Sequence, residues 1–303
     1  KEVMDMTKRN DKRNAAGPGR KRSQAGAIFR RFARNRTAML GLILFLIVVF
    51  FAVFAGAFAD YDTQAVKQDV YARFAAPGSE GHLLGADAQG RDVFARIIFG
   101  ARLSLKISSI SVLSAALLGT LIGAVVAYYG GVLDTVVMRI VDVFLAVPAT
   151  LMAVTVVAAL GASVNNLIVA LAVSMVPPFI RVVRSTVLQL KGADYIEAAR
   201  AYGTRNNGII RSHILPNAIG PIIVQTTLNL ANVLLSVAAL GFIGLGVPSP
   251  QPEWGTMLAE AKANMRDYPF LVMIPGAAIA LTVLSINLIG DGLRDALDPK
   301  LKN

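Results

Sequence analysis

Six long stretches of apolar residues, separated by shorter polar segments, dominate the pattern of the chain. A helix that crosses a bilayer needs about 20 mostly apolar residues, and each stretch is close to that length or longer. The predicted spans are 38–59, 103–129, 136–160, 166–183, 219–246 and 270–289. Several of them contain proline, and because membrane helices tolerate proline we expect kinks rather than breaks at Pro148, Pro177, Pro178 and Pro275. The pattern predicts an all-α polytopic membrane protein with six transmembrane helices.

The distribution of lysine and arginine predicts the orientation of these spans. Twelve lie in the segment 1–37, and five more lie in the segment 184–218 between the fourth and fifth spans. The alternate segments, 60–102 and 247–269, hold seven together. Because cytoplasmic loops are enriched in positive residues, we expect both termini in the cytoplasm of a cell-membrane protein.

This topology divides the chain into five segments. We expect a basic cytoplasmic arm, the first transmembrane helix, an extracytoplasmic segment, a five-helix core and a cytoplasmic tail. Their predicted ranges are 1–37, 38–59, 60–102, 103–293 and 294–303. The core would contain the cytoplasmic insert 184–218 and the outer loop 247–269.

Composition narrows the class of protein further. Of the 303 residues 55% are hydrophobic and 16% charged, whereas a soluble domain has about 25% charged residues. The chain has no cysteine, and its two histidines, His82 and His213, are too few for a histidine-based metal cage or triad. We expect neither a catalytic nor a metal site. The net charge of +11 could indicate nucleic-acid binding, but its clustering on one side favours topology and contact with anionic membrane lipid.

The cytoplasmic insert has the local pattern of two short helices. Asp194 and Glu197 have the spacing of a capping box, and alanines follow, which would leave a smooth face for another protein. Gly203 is placed to end the first helix in a left-handed conformation. Thr204 can cap a second helix, which we expect Pro216 to separate from the fifth span. An amphipathic helix lying on the bilayer is the alternative interpretation.

Several motifs of the chain resemble those of a known family. Glu197-Ala198-Ala199, then Gly203 and His213-Ile214-Leu215-Pro216, resemble the cytoplasmic EAA signature of ABC importer permeases. Isoleucine is usual in the family where this chain has His213, and the peptide and nickel branch shares that departure. Residues 82–105, 244–258 and 290–299 match further motifs of the branch, with Ala86 and Ala95 as small-residue departures. The chain resembles, over about 35–303, the C-type permease of dipeptide, oligopeptide or nickel importers.

This resemblance implies a fold, a set of partners and a set of residues. It implies a type I ABC importer permease fold that works with a second permease, two ATP-binding subunits and an extracytoplasmic solute-binding protein. ATP and magnesium would be bound by those partners and no cofactor by this chain, which has no phosphate-loop motif. The residues implied in coupling to the ATPase are Asp194, Glu197, Ala198, Ala199, Gly203, His213 and Pro216.

Polar residues in two other regions are candidates for function. In the fifth span a single helix face carries Gln225, Asn229, Asn232 and Ser236. They would either contact the partner permease or line the translocation path. In the outer segments the candidates are Asp87, Arg91, Asp92, Arg96 and Trp254. The four charged residues would contact the binding protein or form a salt-bridged cap, and Trp254 would be a membrane-interface anchor or part of an outer gate.

Two smaller expectations concern charged residues near the membrane. Arg139 and Asp142 lie three residues apart and could pair, and Lys106 could reach the interface along its apolar stem.

The predicted function is therefore ATP-driven import of short peptides by a non-enzymatic transport subunit. Nickel chelates, glutathione or opine-like solutes are the alternative substrates within the same architecture. A stand-alone secondary carrier is the alternative from another class, although the chain shows no inverted repeat typical of carriers. An intramembrane enzyme would need clustered acids, serine–lysine or histidine groups within the spans, and the sequence has none there.

Overall fold

The computed structural model describes residues 24–297, and the regular structure of this part of the chain is helical, with only isolated β-bridges beside the helices. The longer helices are α1 (Gln24–Arg34), α2 (Arg36–Val53), α3 (Val93–Tyr129), α4 (Gly131–Ala146), α5 (Ala149–Leu160), α6 (Val164–Lys191), α7 (Asp194–Ala201), α8 (Leu215–Phe242), α9 (Trp254–Ala261) and α10 (Phe270–Leu297). Short turns lie between them at Ala55–Phe58, Tyr61–Val66, Val70–Ala72, Asn206–Ile209, Ile210–Ile214 and Lys262–Asn264. Residues 1–23 of the predicted arm and 298–303 of the predicted tail lie outside the described residues.

Five of these helices are long and apolar enough to cross a membrane, and a bent pair brings the count to six if it is one span. The all-α, multi-span prediction is thereby confirmed for the described residues. Several boundaries differ from the predicted ones, and helix α10 runs to Leu297, beyond the predicted end of its span at 289. Helix α3 begins at Val93, ten residues before the predicted span, because Asp92 caps it by accepting a hydrogen bond from the Ala95 N–H. Helix α6 continues to Lys191, so the predicted insert is shorter than 184–218.

The third predicted span is broken rather than kinked. Helices α4 and α5 meet at an angle of 87°. The break lies at Val147, which has extended backbone angles (φ −92°, ψ 129°) and precedes Pro148. A residue before proline is driven out of the helical region by the proline ring. The prolines inside α6 and α10 leave those helices continuous.

The close packing of α3 on α6 forms the centre of the bundle. Gly119 and Gly123 face α6, and a Cβ added at Gly123 would lie 2.9 Å from the carbonyl oxygen of Ile180. Small residues at a four-residue spacing let membrane helices approach closely. A buried apolar cluster then joins both helices to α5 and α8.

Helix α1 attaches the N-terminal side of the described chain to the end of the bundle. Its Phe32 is buried against Ala38 of α2 and Ala296 of α10. A Cβ on Gly292 would meet the side chains of Ala38 and Phe32. The first and last long helices are thus held together at one end of the molecule.

Candidate functional site

Helix α7 projects between the ends of α6 and α8 and begins without a side-chain cap. Its N-cap residue is Ala193, which makes no capping hydrogen bond. The predicted capping box is therefore wrong, because Asp194 lies one position inside the helix. Asp194 and Glu197 both lie in the first turn, where carboxylates interact favourably with the helix dipole.

The C-terminal end of α7 is a Schellman motif. Gly203 has a positive φ of 77°, as its position in the sequence predicted. Its N–H donates to the carbonyl of Arg200 at 2.9 Å, and the N–H of Thr204 donates to the carbonyl of Ala199 at 3.0 Å. These two bonds satisfy carbonyl groups that a helix end otherwise leaves open.

The segment after Gly203 joins α8 directly. The short helix Asn206–Ile209 has Arg205 as its N-cap, so Thr204 does not cap it as predicted. One π-helical turn, Ile210–Ile214, then leads into α8, and Asn206–Phe242 forms one continuous helical stretch. Pro216 lies in the first turn of α8, directly after the π-helical turn, and the helical stretch continues through it. The expectation that Pro216 separates the insert from the span is wrong.

One face of α7 is fixed to the bundle and the other is free. Ile196 is fully buried and Ala199 nearly so, in a cluster with residues of α3, α6 and α8. Nearby, the hydroxyl of Tyr128 in α3 donates to Asn206 at 2.8 Å. Glu197 and Ala198 are exposed, and Tyr202 is 91% exposed. Ala199 thus belongs to the buried face, not to the exposed alanine face that the sequence suggested.

The remaining predicted coupling residues lie where the chain enters α8. His213 is half-buried in the π-helical turn, and its carbonyl accepts a hydrogen bond from Asn217 at 2.6 Å. Pro216 is exposed. Both therefore lie after Gly203, at the junction of the π-helical turn and α8.

A buried ionic network lies at the opposite end of α3. Arg91 donates to Asp87 at 2.7 Å and to Glu260 at 2.6 Å, and Arg96 donates to Glu260 at 2.9 Å. Both arginine side chains are 1% exposed. Because Glu260 belongs to α9, the network fastens α9 to the start of α3. Sequence reasoning missed Glu260, since nothing local links it to residues so distant in the chain.

Asp92 does not join this network. Besides capping α3, its carboxylate lies 3.0 Å from Nδ1 of His82. The four predicted charged residues are thus divided between two groups, with Asp87, Arg91 and Arg96 in the network and Asp92 beside it.

Trp254 lies inside the protein, so the interpretation as a membrane-interface anchor is wrong. Its side chain is 1% exposed, and its indole N–H donates to the carbonyl of Ile97 at 3.0 Å. The neighbouring Glu253 is fully buried and caps α9 by accepting from the N–H groups of Gly255 and Thr256. Burial raises the pKa of the Glu253 carboxyl, although these backbone hydrogen bonds act in the opposite direction. Sequence reasoning did not single out Glu253, though an acidic residue directly before a helical pattern is a capping signal.

The polar residues of α8 do not share one open face. Asn229 is 6% exposed, and its Nδ2 has no hydrogen-bond partner among the described residues. Asn232 is exposed, while Gln225 and Ser236 are half-buried. In this conformation only the latter three residues are accessible to a partner or a solute.

The acidic residues of α4 pair with α6 rather than within α4. Asp142 accepts from Arg181 at 2.6 Å, so the predicted pair of Arg139 with Asp142 is wrong. Asp134 accepts two hydrogen bonds from Arg184, at 2.5 and 2.6 Å. Two ion pairs thus connect the bent segment to the central bundle.

Comparison with known families identifies the chain. The family model described as binding-protein-dependent transport system inner membrane component matches residues 119–303. The chain belongs to this family. A second model, the N-terminal transmembrane domain of oligopeptide transport permease C, matches residues 23–77. The protein is a multi-pass membrane subunit of an ABC importer, and this excludes a stand-alone carrier.

Named relatives and a solved structure agree with this assignment. The dipeptide transport system permease protein DppC of Alkalihalophilus pseudofirmus is 43% identical over 91% of this chain and 90% of its own length. The glutathione transport system permease protein GsiD of Pectobacterium atrosepticum is 42% identical over 91% of each chain. A structure of the inward-facing MetNI methionine ABC transporter aligns with a TM-score of 0.57 and 20% identity, covering 67% of this chain and 97% of that one. The last similarity concerns the fold alone.

Proposed function

We propose that this permease imports short peptides and that α7 is the helix through which an ATPase subunit moves it. Two relatives named as dipeptide and glutathione permeases support the substrate class. The observation that carries the proposed coupling is the construction of α7, which is anchored on one face, exposed on the other and closed by a Schellman motif. Such a helix can transmit a displacement without fraying.

The direction of force follows from the connections of α7. Helix α6 precedes it, separated only by Gly192 and Ala193, and the stretch Asn206–Phe242 follows it closely. When two ATP-binding subunits close on ATP and magnesium, each would push the α7 of its permease. That push would tilt α6 and α8 together and open the path toward the outer side. ATP hydrolysis and product release would reverse the movement.

The proposed topology places α7 and both termini in the cytoplasm and the network around Glu260 outside. This orientation follows the distribution of lysine and arginine. A solute-binding protein would deliver its peptide to the outer face, beside the second permease. The accessible polar residues of α8, Gln225, Asn232 and Ser236, would exchange hydrogen bonds with the peptide backbone or with that permease.

The proposal is tested by charge reversal on the free face of α7. The importer, assembled with its partner permease, ATPases and binding protein, is reconstituted in liposomes, and uptake of labelled dipeptide and ATP hydrolysis are measured together. Glu197→Lys should lower uptake by roughly tenfold or more, because a misplaced charge at an interface costs several kcal/mol. ATP hydrolysis should become independent of the peptide-loaded binding protein.

The matched control is Glu80→Lys, which makes the same change at an exposed residue of the outer segment. It should leave the coupling of hydrolysis to uptake unchanged. Normal coupled uptake by the Glu197→Lys importer would contradict the proposed role of α7. Preferential uptake of glutathione over dipeptides would contradict the proposed substrate but not the proposed role of α7.

A further inference from the structure

Almost all residues of helix α4 are exposed or only partly buried in the folded chain. Of its 16 residues only Val141 is buried. Val132 is 79% exposed and Val143 69% exposed, and Val136 and Ile140 are each 52% exposed. These residues recur at helical spacing on the side away from Val141. An apolar surface of this length must be covered by lipid or by protein.

The bend at Pro148 sets the direction of α4. Helix α5 packs along the spanning helix α6, with Ala153 and Val157 buried in the shared cluster. The angle of 87° between α4 and α5 turns α4 away from the direction of the helix that packs on α6. At 1.5 Å per residue α4 is about 24 Å long and α5 about 18 Å. Neither reaches the roughly 30 Å of a hydrocarbon core.

The charges of α4 distinguish its two sides. Asp134 and Asp142 are engaged by Arg184 and Arg181 of α6. Arg139 is exposed, lies between the exposed valines, and has no carboxylate within 4.0 Å in the described part of the chain. The outward side is thus apolar with one positive charge.

We propose that α4 lies in the plane of the membrane and binds an anionic phospholipid, with Arg139 on the phosphate and the valine face on the acyl chains. Arginine can bury its apolar stem while its charged head stays at the headgroup level. Helix α4 starts directly after the end of α3 that contacts the segment following α7. With α7 in the cytoplasm, as proposed above, the lipid belongs to the inner leaflet.

The depth of α4 in the bilayer tests its orientation, and the absence of native cysteine makes labelling simple. Val132→Cys and Val143→Cys, in the complete importer in liposomes, receive spin labels whose depths are measured by collision with lipid-soluble and water-soluble relaxants. An in-plane helix places both labels at the same depth. A helix that crosses the membrane would separate them by about 16 Å, and this result would overturn the proposal.

The control pair is Ile43→Cys and Val53→Cys on α2, both exposed. Since α2 is a predicted span, these labels should differ in depth by about 15 Å. Both α4 labels could instead lie at the same depth in the outer leaflet. This result would contradict the proposed orientation of the permease but not the in-plane position of α4.

Lipid binding is tested by titrating phosphatidylglycerol into nanodiscs of phosphatidylcholine that contain the importer. Retained phosphatidylglycerol is counted by native mass spectrometry. Arg139→Ala should weaken its binding about fivefold, the effect of one positive residue near an anionic surface, and Arg139→Lys should restore most of it. Arg266→Ala, an exposed arginine of the outer loop, should have no effect.

Two results would overturn the lipid assignment. One is equal retention of phosphatidylglycerol by Arg139→Ala and the unchanged protein. The other is loss of the second permease from the purified Arg139→Ala importer with lipid retention unchanged, which would make α4 part of the interface between permeases.

Discussion

Individual glycines differ in what surrounds them, and this decides which of them the fold requires. Gly123 lies against the backbone of α6, whereas Gly276 in α10 has nothing within 4 Å of an added Cβ. The sequence does not distinguish the two, since both are glycines within apolar helices. Gly123 is required because α3 packs closely on α6, and this contact joins two helices that are distant from each other in the sequence.

Gly123→Ala should therefore destabilise the protein, while Gly276→Ala should not. A methyl group 2.9 Å from the carbonyl oxygen of Ile180 forces the helices apart, which costs about 1–3 kcal/mol in a well-packed core. At Gly276 the substitution should be neutral or stabilising by up to about 1 kcal/mol, because alanine favours the helix. Unfolding of both variants in the same detergent measures the difference. Equal stability of the two would contradict the described helix contact.

Glu253 gives a prediction of pH dependence. Burial raises the pKa of its carboxyl above the ordinary value of 4.5. A group with a raised pKa in the folded state contributes stability below its unfolded pKa and loses that contribution as the pH rises through its folded pKa. The free energy of unfolding should thus fall as the pH rises above about 4.5.

Glu253→Gln does not titrate, and its single side-chain oxygen can still accept from one of the two N–H groups, Gly255 or Thr256, which bond to different oxygens of Glu253. Its unfolding, measured by thermal denaturation over the same pH range, should lack this decrease. An identical pH profile for the variant and the unchanged protein would show that Glu253 is not the titrating group.

Among the helices, α7 shows which structural features local sequence signals predict and which they do not. Gly203 predicted the end of the helix because only a left-handed residue completes a Schellman motif. The predictions that Asp194 and Thr204 cap helices were wrong, because a capping residue is defined by backbone angles that its own side chain does not control. The break between α4 and α5 was underestimated for a related reason. A proline indicates where a helix can bend, but the angle depends on neighbouring helices and on the ion pairs to α6.

The Schellman motif of α7 makes Gly203 sensitive to substitution. Gly203→Ala has open space but must adopt a φ of 77°, which costs about 1–2 kcal/mol in an L-residue. The amides of Gly203 and Thr204 should then exchange hydrogen about 5–30 times faster. Hydrogen exchange of the assembled importer, followed by mass spectrometry, measures this.

Two variants accompany this measurement. Gly203→Asn should remain close to the unchanged protein, because asparagine tolerates the left-handed region. Gly192→Ala is the control, at a glycine with a φ of −90°. Exchange in Gly203→Ala as slow as in this control would contradict the role of the motif.

For the whole molecule, the sequence predicted more of the architecture than of the contacts. Apolar stretches predicted the helices, because a membrane helix must be apolar over most of its length. The motifs around Glu197 and Gly203 predicted the family that the comparisons confirm. The network that joins Arg91 and Arg96 to Glu260 could not be predicted, since its members are 164 and 169 residues apart. The burial of Asn229 and Trp254 likewise depends on helices that only the folded bundle brings together.

The most direct test of the account is site-specific cross-linking from the free end of α7. Tyr202→Cys, 91% exposed in the isolated chain, and Tyr71→Cys, fully exposed on the outer segment, each supply the single cysteine of the permease. Each assembled importer, built with cysteine-free partner permease and binding protein, is treated with a short cysteine-to-lysine cross-linker. The account predicts a covalent product with an ATP-binding subunit from Tyr202→Cys and none from Tyr71→Cys. Absence of that product from Tyr202→Cys, or its formation from Tyr71→Cys instead, would contradict the proposal that α7 couples this permease to ATP hydrolysis.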